Sequence, residues 1–189
     1  MTHPTLRIVA VSGSVHRPSS TTALVAALAD AVARRTDATI ELVELVDVGP
    51  HLAGALRRES LPAEAERAIS AIEEADLLVV GSPVYRASFT GLFKHLFDFV
   101  DQRALVDVPV LLAATGGSHR HALTIEHQLR PLFAFFQALT LPVGVYASSE
   151  EFEHGRVRCA AVLDRIEAAA DRALPYLRAV PAPVRPAAF

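Results

Sequence analysis

The sequence predicts a doubly wound α/β domain, a parallel sheet of five strands covered by helices on both faces. Three observations predict it. Short β-rich runs alternate with amphipathic helical stretches along the chain. The third run, Asp76-Leu77-Leu78-Val79-Val80-Gly81, is continuously apolar, as suits a strand covered on both sides. The inner runs also end in loops rich in serine, glycine or proline.

The first strand is the run Leu6–Val11, closed by Ser12-Gly13-Ser14, and residues 20–35 form an alanine-rich helix. Residues 39–45 alternate Ile40, Leu42 and Val43 with Glu41 and Glu44, which suits a strand near the sheet's edge. Residues 62–74 are helical, with Pro62 suited to the first helical position. Residues 76–81 give the third strand. Phe89, Leu92, Phe93, Leu96, Phe97 and Val100 then recur at helical spacing, marking an amphipathic helix. Residues 108–114 are the fourth strand, 141–147 the fifth, and residues 158–177 a last helix. Prolines 181, 183 and 186 cannot continue it. The expected organisation is one domain over residues 1–180 and a mobile tail over 181–189. Two strand orders are common in this class, and in both of them ligands sit beyond the carboxyl ends of the strands.

Composition narrows the function. In 189 residues, 51% are apolar and 21% charged, a globular balance, and the net charge of -3 argues against nucleic acid or an anionic membrane as partner. Lys94 is the only lysine, and the arginines are scattered, not striped. The single cysteine, Cys159, excludes a disulfide framework or a cysteine metal cluster and reads as a small apolar residue on the last helix. No apolar run reaches the roughly 20 residues that span a bilayer, so a cytoplasmic location is expected.

Three loops carry the chemistry. The first, Ser12-Gly13-Ser14-Val15-His16-Arg17-Pro18-Ser19-Ser20-Thr21-Thr22, opens a helix, where unpaired N–H groups and the helix dipole attract an anion. A single cap needs one hydroxyl. Here five hydroxyls, at 14, 19, 20, 21 and 22, accompany Arg17, which suits a terminal phosphate. Neither the dinucleotide glycine fingerprint nor a P-loop is present, so a monophosphate fits better than a pyrophosphate. In the third-strand loop, Ser82-Pro83-Val84-Tyr85-Arg86-Ala87-Ser88, the proline stops the ladder, and a planar ligand could rest on the backbone beside Tyr85 and Arg86. The fourth-strand loop, Thr115-Gly116-Gly117-Ser118-His119-Arg120-His121, has paired glycines that let N–H groups approach an electron-rich edge. Ser14 and Ser118 lack the context of a hydrolase nucleophile. His119 and His121 have no third ligand evident in the sequence, so no metal is expected.

Together, Ser-Gly-Ser and Arg-Pro-Ser after the first strand, Ser-Pro-Val-Tyr-Arg-Ala-Ser-Phe-Thr-Gly after the third and Ala-Thr-Gly-Gly-Ser after the fourth resemble the NAD(P)H-dependent FMN reductases. The resemblance covers about residues 6–178. The stretch 116–132 is similar to the subgroup that serves two-component alkanesulfonate and methanesulfonate monooxygenases. It implies a flavodoxin-like sandwich with strand order 2-1-3-4-5. It also implies hydride transfer from NADH or NADPH to FMN, reduced flavin passing to a separate oxygenase, and no catalytic acid or base. By position, Ser14, Arg17, Ser19, Ser20 and Thr21 would surround the phosphate. Pro83, Val84, Tyr85 and Arg86 would line the ring and ribityl chain, and Thr115, Gly116, Gly117 and Ser118 would face the pyrimidine edge. Arg17 stands one place from the commonest family spacing.

His127 marks a departure, because some sulfonate-linked relatives carry tyrosine there, in a helix with a π insertion at a subunit interface. The sequence independently predicts distortion, since Pro131 has no N–H for the His127 carbonyl four residues earlier. The apolar residues of 89–100 and 127–136 exceed what one helix face needs, which predicts a homo-oligomer, a dimer or tetramer. Two alternatives share the fold: a resident-FMN quinone, azo-dye or chromate reductase, and a flavodoxin-type electron carrier. The carrier normally has strong acidity and aromatic stacking, whereas this chain is near charge balance and has no tryptophan.

Overall fold

The computed structural model describes residues 5–177, so the expected tail over 181–189 lies outside the described residues. The sheet runs β2 (Ala38–Glu44), β1 (Leu6–Ser12), β3 (Leu77–Pro83), β4 (Pro109–Gly116), all parallel. Its fifth position is shared by β5 (Leu139–Thr140) and β6 (Val145–Ser148), both parallel to β4. The order is therefore the flavodoxin-like 2-1-3-4-5, with the fifth strand broken where a continuous one was expected. Pro142 supplies no N–H to the ladder at the break, and the Leu141 carbonyl instead accepts from Arg130 at 3.1 Å.

Helices α1 (Ser20–Ala33) and α6 (Ala160–Leu177) cover one face, where Leu24, Val25 and Leu28 pack with Ile8, Val79 and Ile166. The other face carries α2 (Leu45–Leu52), α3 (Ala63–Glu73), α4 (Gly91–Asp98) and α5 (Arg130–Phe135). There Ile69, Ile72, Phe93, Phe97 and Phe133 close over Val9, Val11, Leu78 and Leu112. Phe97 meets Phe133 edge-on at 5.0 Å, so much of the phenylalanine stripe is used internally. Pro62 precedes α3 as its cap and is not its first residue. Edge strand β2 does not alternate in burial as expected: residues 39–42 are all exposed at the sheet's edge, Ile40 and Leu42 included, and only Val43 is buried.

A π-helical turn, Ile125–Leu129, leads directly into α5 and contains His127. It lies just before Pro131, where the missing N–H predicted distortion. The broken fifth strand passes close by, and a Cβ on Gly144 would stand 2.8 Å from an Ile125 methyl. A short antiparallel hairpin, β7 (Phe152–Glu153) and β8 (Arg156–Val157), precedes α6. Register aligns the strand ends: Ser12 lies beside Gly81, and Pro83 beside Thr115. The loops after β1, β3 and β4 thus emerge together at one sheet edge.

Candidate functional site

The first loop is braced from within. Ser19 caps α1, its hydroxyl accepting from the Thr22 N–H at 3.1 Å. The N–H groups of Ser20 and Thr21 have no protein acceptor among the described residues, which leaves two donors of the first turn for an anion. Ser14, nearly buried, donates to the His16 carbonyl at 3.1 Å. The Thr21 hydroxyl, expected at the phosphate, instead meets the Thr115 hydroxyl at 2.6 Å in the interior. That bond ties the first loop to the fourth, with both side chains buried. The Thr22 hydroxyl is likewise engaged, at 2.7 Å from Ser12 and 3.1 Å from Glu44.

Arg17 is placed on the wall of an open concavity of about 600 Å³, together with Pro18, Ser19, Thr22, Ala23 and Glu44. Its guanidinium is held by carboxylates. It donates to both Asp47 oxygens at 2.7 and 2.6 Å and to Glu44 at 2.6 Å. These bonds raise the Arg17 pKa and hold Asp47 below the ordinary carboxylate range. Sequence reasoning expected Arg17 at a phosphate and did not find its partners, which come from the end of β2 and the first turn of α2.

The third loop is a tight hairpin. Tyr85 N–H donates to the Ser88 carbonyl at 2.8 Å and Ser88 N–H returns the bond at 3.2 Å. Arg86 and Ala87 between them have φ of 50° and 70°, left-handed values that cost an L-residue about 1 kcal/mol or more each. Strain of this kind at a loop tip is common where a ligand is bound. Val84, Tyr85 and Arg86 line a second open concavity, and Tyr85 is 43% exposed. Val84 N–H donates to the Thr115 carbonyl at 2.7 Å, fixing this loop against β4. Thr90 does the same towards the first loop: it caps α4 and donates its hydroxyl to the Gly13 carbonyl at 3.0 Å. Ser88 donates to Gln128 in the π turn at 3.0 Å.

In the fourth loop the two glycines differ. A Cβ at Gly116 would stand 2.5 Å from the Tyr146 hydroxyl, which donates to the Ser118 carbonyl at 2.5 Å. Burial pushes the Tyr146 phenol up, so it stays a proton donor to that carbonyl. Gly116 is therefore glycine because the protein needs the space. A Cβ at Gly117 would meet nothing within 4 Å, and φ there is not left-handed. The N–H groups of Gly117 and Ser118 have no protein acceptor among the described residues. Open space above glycine, with two outward donors, suits the polar edge of a flat heterocycle lying against the backbone.

The structure thus brings Ser14, Ser19, Ser20, Pro83, Val84, Tyr85, Arg86, Gly116, Gly117 and Ser118 to one edge. Thr21 and Thr115 lie beneath it as a strut, and Arg17 is turned towards β2 and α2. Ser82, Thr90, Glu44, Asp47 and Tyr146 were not singled out from sequence, and Thr90 carried the one available signal, a capping residue ahead of an amphipathic helix. Among the described residues there is no group of three or more His, Cys, Asp or Glu suited to a metal. His119 instead approaches Glu150 at 3.4 Å.

Comparison with known proteins finds relatives over most of the chain. A family model described as NADPH-dependent FMN reductase matches residues 6–153. The NADH-dependent FMN reductase SfnF of Pseudomonas fluorescens is 52% identical, covering 90% of this chain and 91% of its own. The FMN reductase (NADPH) of Pseudomonas aeruginosa is 51% identical over 93% and 94%. An oxidoreductase structure from Corynebacterium diphtheriae superposes with a TM-score of 0.83 at 34% identity, covering 94% of this chain and 100% of that one.

Proposed function

The chain belongs to the family of NADPH-dependent FMN reductases, and on that footing we propose that it reduces FMN as a diffusible substrate and releases it to a separate monooxygenase. When bound, FMN would supply the chemistry, as the acceptor of a hydride from NADH or NADPH. The protein positions and stabilises. The open N–H groups of Ser20 and Thr21, beside the hydroxyls of Ser14, Ser19 and Ser20, hold the phosphate at the positive end of α1. The Tyr85–Ser88 hairpin, with Pro83, Val84 and Arg86, supports the ring. Gly117 and Ser118 direct N–H donors at the pyrimidine edge, where negative charge gathers on reduction. No side chain acts as acid or base.

The observation that carries free exchange is how little encloses the ring. Among the three loops Tyr85 is the only tyrosine or tryptophan, and it is 43% exposed at the base of the hairpin. The test is steady-state oxidation of NADH and of NADPH with FMN varied. A colourless protein whose rate saturates in added FMN supports the reading. A yellow protein that turns over only with a quinone or azo acceptor overturns it.

The relative's name SfnF and the similarity of residues 116–132 to sulfonate-linked reductases favour a sulfonate monooxygenase as the consumer. Among the described residues no helix is long and apolar enough to cross a membrane, and a cytoplasmic location fits the use of nicotinamide cofactors. Leu123 and Phe135, 63% and 65% exposed on either side of the π turn, suit a dimer or tetramer of this chain. Sedimentation showing only monomer at micromolar concentration would exclude it.

A further inference from the structure

We propose that Glu44 and Asp47 compete with the FMN phosphate for Arg17, and so set the flavin's affinity low enough for release. The inference rests on the FMN-substrate reading and deepens it.

The argument begins with donors. Arg17 offers five N–H groups, and its two terminal nitrogens are already committed, one to Asp47 and the other to Asp47 and Glu44. Arg17 and Glu44 line a concavity that reaches Ser19, the cap of α1, so a phosphomonoester at the α1 N-terminus arrives beside them. It can take Arg17 as a bidentate partner only by displacing carboxylates that already hold the guanidinium in that fashion.

Neither carboxylate is there by accident of side-chain drift. The β1–β2 register sets Glu44 beside Ser12. Its second oxygen accepts from Thr22 at 3.1 Å, and its side chain is only 15% exposed. Asp47 sits in the first turn of α2, where the helix dipole favours a negative charge. Glu44, fixed on the wall, also repels the incoming dianion directly. Both effects weaken the grip on the phosphate and leave the grip on the ring untouched. A family member that kept FMN permanently would gain from a free arginine here, whereas one that hands FMN on gains from a contested one.

The test separates phosphate from ring. FMN and riboflavin, which differ by that phosphate alone, are titrated against wild type, Asp47→Asn and Glu44→Gln, substitutions that keep shape but remove the charge and replace one accepting oxygen with a donor. Exposed ion pairs of this kind typically carry a few-fold in affinity. The expected result is FMN binding tightened about three- to tenfold in each variant, with riboflavin binding unchanged. FMN affinity that stays the same or falls overturns the proposal, and so does an equal change for both ligands, which would report a general loop effect. Failure of the underlying reading looks different: wild type itself is then isolated yellow and turns over only with a quinone or azo acceptor, or binds no FMN at all.

Discussion

Substituting the two neighbouring glycines of the fourth loop should produce opposite effects. In Gly116→Ala the new Cβ lies 2.5 Å from the Tyr146 oxygen, far inside contact distance. Tyr146 is only 6% exposed, so its ring cannot swing away freely. Its hydroxyl must shift and lose the bond to the Ser118 carbonyl. Overpacking plus one lost hydrogen bond amounts to about 2–3 kcal/mol. Tyr146→Phe alone forfeits only the hydrogen bond, about 1 kcal/mol. In the double variant the clashing oxygen is gone, so the loss should stay near 1 kcal/mol and fall well short of the additive sum. Urea denaturation followed by circular dichroism measures all three. Gly117→Ala should leave stability within about 1 kcal/mol of wild type, with a slight gain allowed, because its Cβ enters open space. On the proposed placement of the flavin edge over that space, it should cost about tenfold in FMN affinity, or 1.4 kcal/mol. Additive losses at 116 and 146, or unchanged FMN binding at 117, would refute the reasoning.

Other residues give further tests. Thr21→Val strands the buried Thr115 hydroxyl and should cost about 1–3 kcal/mol, most of it recovered in Thr21→Val/Thr115→Val, as urea midpoints would show. Ala87→Val puts a branched side chain at a φ of 70° and should destabilise by about 1–2 kcal/mol, while Ala87→Gly should not destabilise; thermal melts distinguish them. Glu66 is held below its ordinary value of 4.5 by hydrogen bonds from Arg58. The unfolded chain therefore takes up that proton first, so the stabilisation is present above about pH 4.5 and is lost as pH falls through the lower folded value. Arg58→Gln should flatten the decline of stability between pH 5 and pH 3 in a series of urea melts, and an unchanged slope would contradict this.

The central strands were legible because β1, β3 and β4 are continuous apolar runs that only a sheet covered on both faces accommodates. Helix α4 was legible from its phenylalanine spacing, and a distortion ahead of Pro131, though not its π form, from the N–H that Pro131 lacks. Helix α2 was not, since Gly49-Pro50 reads locally as a loop, although Leu45 and Leu52 anchor it in the core. The break in the fifth strand follows from Pro142, a residue that lay within the expected run. In the site, the residues that line the edge were found, but side-chain directions were not. Whether Thr21 faces a ligand or Thr115 depends on the rotation of α1 over the sheet, which comes from packing. Likewise the partners of Arg17 lie 27 and 30 residues away, beyond any local pattern.

The account stands most directly on where FMN binds. A crystal structure with FMN at saturating concentration should show the phosphate over the N–H groups of Ser20 and Thr21 and the pyrimidine edge at Gly117 and Ser118, beside Tyr85. Density for the flavin at any other surface, with that sheet edge vacant, would contradict it.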